Sequence, residues 1–423
     1  MGIMENNSSL FNRLISQYDE ISEMMAYSED VSKIVKTMNN EITIHFPIKM
    51  DDGDIRIFTG YRIQHNNVLG PYKGGFRNHP NLGLDELRML AFLRTVKSSL
   101  VNIPAGGSMG GIRMHPAEYS YPELERITRR YTYSLSSNIG PEYDVMEADI
   151  SSDAQFMAWI YDTYLTTMPP QIRNRLTHIV TGKPLKLGGT RGSDKATGQG
   201  IVDCIEAWAK LRKIDLKKCS FKVQGFGPGG FWTSQLMKAK GAKLVALSDQ
   251  SGAIYNPRGI DLDGLAAFVN DADHISGYPK ADEIDHESFL KTGADILIVT
   301  APENQITPAN VELLDVKLLA EGSDFVTDPL CDDYLQEKGI DILPDILCST
   351  GSLIVNYFEW LQNKRSESWE LEEVNAKLNR ILIHAFTKIV TASEEFGVSW
   401  RKAAYIVAFS HLEKVYKERG IFP

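Results

Sequence analysis

The chain has 423 residues, with 45 basic against 55 acidic side chains and a formal net charge of -10. That balance, with no block of Lys and Arg, argues against a nucleic-acid partner or an anionic membrane surface. A hydrophobic share of 43%, in a chain longer than one ordinary core, calls for a globular protein of two or three domains, with two the working count. Cys204, Cys219, Cys331 and Cys348 fit no metal-ligand or paired spacing and read as reduced core thiols, with no metal site. The stretch 1–9 is polar, and no run of about 18 apolar residues occurs. No membrane partner and a cytoplasmic location are the expectation.

In chain order, the apolar positions Leu14, Ile15, Tyr18, Ile21 and Met25 predict a helix within 10–40. Two strand-like runs, 41–46 and 55–63, flank Asp51-Asp52-Gly53-Asp54 and predict a hairpin. A Gly/Pro-rich loop at 69–75 leads into a helix over 84–101. A second Gly-rich loop, 104–111, precedes helices near 122–137 and 152–165. From Ala196 the pattern changes. Helices at 196–211 and 228–240 alternate with short apolar strands at 221–224, 243–248, 295–300, 317–321 and 340–343. Such alternation predicts a parallel sheet covered on both faces. The tail, 353–420, is helical without a strand. The fold class is therefore α/β: an N-terminal α/β substrate-binding and oligomerisation domain over 1–188, a Rossmann-type doubly wound dinucleotide-binding domain over 189–350, and helices over 351–423 returning to the first domain.

Gly225-Phe226-Gly227-Pro228-Gly229-Gly230 follows a strand and opens a helix, the context in which G-x-G-x-x-G points to a dinucleotide. Gly225 allows the tight turn, Gly227 admits a pyrophosphate and Gly230 lets helix and strand pack closely. Pro228 suits a first helical turn, whose free N–H groups and positive dipole end attract phosphate. Asp249, about 20 residues on, is placed to bind ribose hydroxyls. No arginine stands beside it for a 2′-phosphate, so NAD is preferred over NADP.

On the other side, Lys97 shares a helix face with Leu87 and Leu90, and an inward amine calls for an anion. Lys73 sits among glycines that let it approach a ligand. The bland reading of either amine is a lysine snorkelling to solvent. Together these point to a small anionic ligand.

Phe58-Thr59-Gly60-Tyr61-Arg62, Gly70-Pro71-Tyr72-Lys73-Gly74-Gly75, Ala148-Asp149, Gly188-Gly189, Ala196-Thr197-Gly198, Ser248-Asp249, Glu303-Asn304-Gln305-Ile306-Thr307 and Tyr357-Phe358-Glu359-Trp360 occur in order. Through them the chain, from about Thr37 to Gly420, resembles the glutamate/leucine/phenylalanine/valine dehydrogenases, above all the hexameric glutamate dehydrogenases. The resemblance implies NAD(P)-dependent oxidative deamination of an amino acid to a 2-oxo acid. It assigns Lys73 to a substrate side-chain carboxylate, Lys97 to the α-carboxylate, Asp149 to general acid/base work and Thr197 to the nicotinamide carboxamide. Glutamate is then the first candidate substrate, and a homo-hexamer the expected assembly.

The pattern breaks where the family presents Gly-Gly-x-Lys-Gly-Gly. Here the loop is Gly106-Gly107-Ser108-Met109-Gly110-Gly111, and the thioether of Met109 cannot carry charge or donate a proton. Asp324 replaces an asparagine at the cofactor, Ser349 another near the nicotinamide ribose, Asn356 a serine at the side-chain carboxylate, and Ser193 a common arginine. Three readings follow: a weakened NAD-dependent amino-acid dehydrogenase, a non-catalytic binding or regulatory subunit associating with an active homologue, or an enzyme repurposed to another amine or oxo substrate. Glu147, two residues before Asp149, faces the same side of an extended segment, which would couple the two carboxylates. His115 reads as structural.

Overall fold

The computed structural model describes residues 9–421, so most of the polar stretch read at 1–9 lies outside the described residues. The chain divides into two compact units, 1–193 with 353–371 and 405–423, and 194–352 with 372–404. Both are mixed α/β, as the sequence pattern calls for.

The first unit opens with α1 (Leu10–Met24) and α2 (Glu29–Val35). Next come β1 (Asn40–Lys49) and β2 (Ile55–Asn66), the predicted hairpin, paired antiparallel from Asn40↔Gln64 to Lys49↔Ile55. Then follow β3 (Tyr72–Asn78), α3 (Leu84–Leu100), β4 (Gly107–Ile112), α4 (Tyr121–Leu135), β5 (Asp144–Ala148), α5 (Ala154–Thr167) and β6 (Val180–Thr181). The strands form one sheet in the order β1-β2-β4-β3-β5-β6, parallel from β4 to β6. Its core gathers Phe46, Phe58, Phe76, Ile127, Tyr131 and Trp159.

The two Gly-rich stretches, expected as loops, run instead as the central strands β3 and β4. Their glycines serve close approach. A Cβ on Gly74 would overlap the Ser108 carbonyl, and one on Gly107 would overlap the Ala91 carbonyl of α3. Lys73 thus sits on a buried strand rather than in a mobile loop.

The second unit contains α6 (Ala196–Arg212), β7 (Ser220–Gln224), α7 (Pro228–Ala239), β8 (Lys243–Asp249), β9 (Gly252–Tyr255), α8 (Leu262–Ala272), β10 (Asp282–Ile284), α9 (His286–Lys291), β11 (Ile296–Val299), β12 (Leu318–Glu321), α10 (Asp332–Glu337), β13 (Asp341–Leu343) and α11 (Asp345–Cys348). The strand order is β10-β9-β8-β7-β11-β12-β13. β8, β7, β11, β12 and β13 are parallel, the doubly wound arrangement. β9 and β10 add an antiparallel edge that the sequence pattern did not show, being too short for a period to register. Lys222, buried in β7, donates to the Phe289, Leu290 and Thr292 carbonyls and so closes the C-terminus of α9.

The helical tail is α12 (Gly351–Arg365), α13 (Leu371–Phe396) and α14 (Trp400–Arg419). Residues 353–371 and 405–423 group with the first unit and 372–404 with the second. No helix among the described residues is long and apolar enough to cross a membrane.

His65 of β2 is fully buried and joins three elements. Its Nε2–H donates to the Val35 carbonyl at 2.7 Å, which leaves Nδ1 to accept from the Thr95 hydroxyl at 2.7 Å. Burial pushes its pKa down from 6.5 to about 4. The unfolded chain therefore binds the extra proton between those values, and stability falls as the pH drops through that window. The contribution is on the order of 3 kcal/mol at full effect. We expect denaturant midpoints measured from pH 7 to pH 4 to fall less steeply in His65→Gln than in the parent chain.

Candidate active site

In the second unit, β7 ends at Gln224 and the backbone turns at Gly225 with φ +99°, a left-handed conformation that favours glycine. A Cβ on Gly230 would overlap the Gly225 carbonyl, whereas one on Gly227 would meet nothing within 4 Å. The helix is thus pressed onto the turn at one glycine and open at the other. The Thr300 hydroxyl, just past β11, donates to the Gly225 carbonyl at 2.8 Å and braces the turn. Pro228 is the first residue of α7.

A cavity of about 780 Å³ lies at the carboxyl ends of β7, β8 and β11, lined by Gln224, Gly227, Ser248, Asp249, His274 and Thr300, among others. This is where strand order reverses, the place where doubly wound sheets bind ligands. Gln224 Oε1 and Ser248 Oγ are buried on this wall with no hydrogen-bond partner among the described residues. Orphaned polar atoms, an open glycine and a helix N-terminus together fit a dinucleotide.

Asp249 ends β8. One of its oxygens accepts from Ser251 N at 2.7 Å and the other from Ile275 N at 3.3 Å, so it shapes the crevice wall while facing it. Thr197, in the first turn of α6, has its methyl 3.5 Å from where a Gly229 Cβ would stand. Asp324 and Ser349 are neighbours, Oδ1 to Oγ 3.2 Å.

In the first unit, Lys73 is 6% exposed and Lys97 2%. Lys73 bonds Glu147 of the neighbouring strand and donates to the Thr181 hydroxyl at 3.1 Å. Glu147 also takes Arg94 at 2.6 Å and Asn356 Nδ2 at 3.1 Å. Its carboxylate therefore turns to two cations and an amide, and not to Asp149. Burial pushes the Glu147 carboxyl up, but Arg94 and Lys73 outweigh it and hold it below the usual carboxylate range.

Met109 is completely buried in β4. Its methyl would lie 2.8 Å from a Cβ on Gly75, which would also collide with the Asp149 carboxylate, so thioether and carboxylate converge on one glycine. Asp149 follows β5 and accepts from Arg77 at 3.3 Å and from Ile150 N at 2.7 Å. Arg77 also binds Glu86. His115 is exposed. No group of three or more His, Cys, Asp or Glu is placed to hold a metal among the described residues.

Residues 188–420 match the family described as Glutamate/Leucine/Phenylalanine/Valine dehydrogenase, and 38–166 match the Glu/Leu/Phe/Val dehydrogenase dimerisation domain. The chain belongs to this dehydrogenase family. It is 38% identical over 416 residues to a glutamate dehydrogenase of Thermotoga maritima, covering 98% of this chain and 99% of that one. It is 36% identical to a cryptic catabolic NAD-specific glutamate dehydrogenase of Bacillus subtilis, covering 94% and 93%. Among solved structures, a hetero-hexameric glutamate dehydrogenase from Thermus thermophilus in a Leu-bound form superposes with a TM-score of 0.93 at 30% identity, covering 100% of both chains.

For this dehydrogenase-family chain, sequence reasoning passed over Arg94. It lies seven residues after Leu87 and four after Leu90, on the face already singled out for Lys97, so the same spacing could have found it. The extended segment pairs Glu147 with Asp149, whereas its carboxylate meets Lys73, Arg94 and Asn356. We expect Gly230→Ala to lower stability by about 1–3 kcal/mol through overpacking, while Gly227→Ser stays within about 0.5 kcal/mol of the parent, as read from thermal melts.

Proposed function

We propose that this chain is a glutamate dehydrogenase-like, NAD-binding protein whose oxidative deamination of amino acids is strongly weakened. One observation carries the reading: a fully buried thioether, Met109, stands beside Asp149 where the family resemblance calls for an amine.

The crevice residues would hold the cofactor, with Gly225, Gly227, Pro228, Gly229 and Gly230 at the pyrophosphate and Asp249 at a ribose. Thr197, Asp324 and Ser349 would face the nicotinamide half. Bound NAD supplies the hydride acceptor. NAD is preferred to NADP because a carboxylate, Asp249, lines the crevice and would repel a 2′-phosphate; the NAD-specific relative of B. subtilis supports that preference. Lys97 would take the amino acid's α-carboxylate, and Asp149 would move protons at its amino group. Without a cationic amine at position 109, the developing charge on the substrate oxygen or nitrogen lacks a stabilising partner, which costs about a hundred- to a thousandfold in rate.

A second reading is favoured by the Thermus thermophilus likeness, since that structure is hetero-hexameric. By it, the chain is a binding or regulatory subunit that assembles with an active homologue. Light scattering of the chain alone distinguishes the two: six copies of the 47.4 kDa chain support a self-sufficient hexamer, and a smaller species favours the mixed assembly.

The expected outcome for the first reading is NAD uptake by calorimetry, with NADH formation at least about a hundredfold below that of Met109→Lys for the amino acid that Met109→Lys turns over fastest in a panel running from glutamate to neutral side chains. Parent turnover of that amino acid within about tenfold of Met109→Lys would show that the amine is not needed and would overturn the reading.

A further inference from the structure

The first unit contains a fully formed receptor for one carboxylate, and the chain supplies that carboxylate itself. Lys73 and Glu147 lie on the same face of adjacent parallel strands, because Gly75 pairs with Glu147 and Lys73 is two residues before Gly75. Glu147 extends from β5 so that one oxygen meets Arg94 at 2.6 Å while the other takes Lys73 and the Asn356 amide, the latter at 3.1 Å. Side-chain exposures of 2% for Glu147 and 6% for Lys73 exclude solvent from this contact. Charge-assisted bonds of this kind are short and strong, and a planar guanidinium beside an ammonium is the usual way to hold a carboxylate.

Little space remains. The cavity beside Lys73, lined by Pro71, Pro104, Ala105, Val145, Tyr357 and Trp360, has about 10 Å³, room for about one water. Lys183, two residues beyond Thr181, is completely buried against Glu359 at 2.8 Å.

We infer that Glu147 is a specificity-determining residue: a tethered carboxylate that fills the Lys73–Arg94–Asn356 receptor, excludes dicarboxylates, and leaves the first unit able to take only amino acids or oxo acids with an uncharged side chain. A ligand's second carboxylate would have to displace Glu147 or share two cations with it, and two carboxylates in one buried site repel. The ligand class is thus that of apolar or neutral 2-amino and 2-oxo acids. The inference rests on the reading that the first unit binds the amino acid, but its test does not depend on turnover.

The test is calorimetric titration of the intact chain, saturated with NAD, with glutarate as the unreactive dicarboxylate and pentanoate as the monocarboxylate of equal length. Wild type is expected to bind glutarate no better than pentanoate. Glu147→Ala frees the two cations and should bind glutarate about ten- to a hundredfold tighter than wild type does, the factor of one charge-assisted carboxylate contact, with pentanoate unchanged. Should Glu147→Ala fail to fold, as judged by its melt, Glu147→Gln keeps the shape and removes the charge, and is expected to shift glutarate in the same direction. Glutarate binding wild type as tightly as the folded variant overturns the inference. A loss of NAD uptake in wild type would instead strike at the functional reading, so the two failures are separable.

Discussion

Two cations brought together from neighbouring elements, Lys73 on β3 and Arg94 on α3, need an anion between them, and in the first unit that anion is Glu147. Removing ions from water costs several kcal/mol each in effect, recovered only where geometry and additional hydrogen bonds are good. Here Arg94, Lys73 and Asn356 converge on one carboxylate from α3, β3 and α12. The arrangement is anchored by strand register, since Gly75↔Glu147 and Lys73↔Val145 place β3 and β5 side by side. It also depends on the absence of side chains at Gly74 and Gly75, which lets β4 and the Asp149 carboxylate approach. The chemistry that a ligand would otherwise bring is thereby built into the sheet.

The second unit solves the opposite problem. Its crevice is left open where the sheet's strands end, and two buried polar atoms, Gln224 Oε1 and Ser248 Oγ, await partners there. The turn that forms its floor is stiff. Gly230 packs against Gly225, Thr300 clamps the Gly225 carbonyl, and only Gly227 presents bare backbone. By the proposed reading, a turn braced in this way would take a phosphate without rearrangement of α7. By the same reading, one unit is prepared for a ligand, while the other holds its own substitute.

Much of this was legible from residue patterns, and the exceptions have physical causes. The β1–β2 hairpin and the five parallel strands of the second unit announce themselves by apolar periodicity and turn residues. β9 and β10, of four and three residues, are too short to show any. The glycines of β3 and β4 read as loop because glycine usually marks turns, yet here it marks contact between neighbouring backbones, a long-range fact invisible to local pattern. Lys97 was read as inward from helix spacing and is buried. Arg94 obeys the same spacing, and the helix period places it on that face as well. The partner of Glu147 could not be read, because it is set by pairing between strands about seventy residues apart in sequence.

The charge arithmetic of the Glu147 cluster also imposes a direction on how this site can change over generations. Losing Lys73 first leaves Glu147 balanced by Arg94. Losing Glu147 first takes the carboxylate from both Lys73 and Arg94 at once. Substitutions here are therefore unequal: a lost cation leaves the acid one charged partner, whereas a lost acid is felt by both cations until an outside anion replaces it.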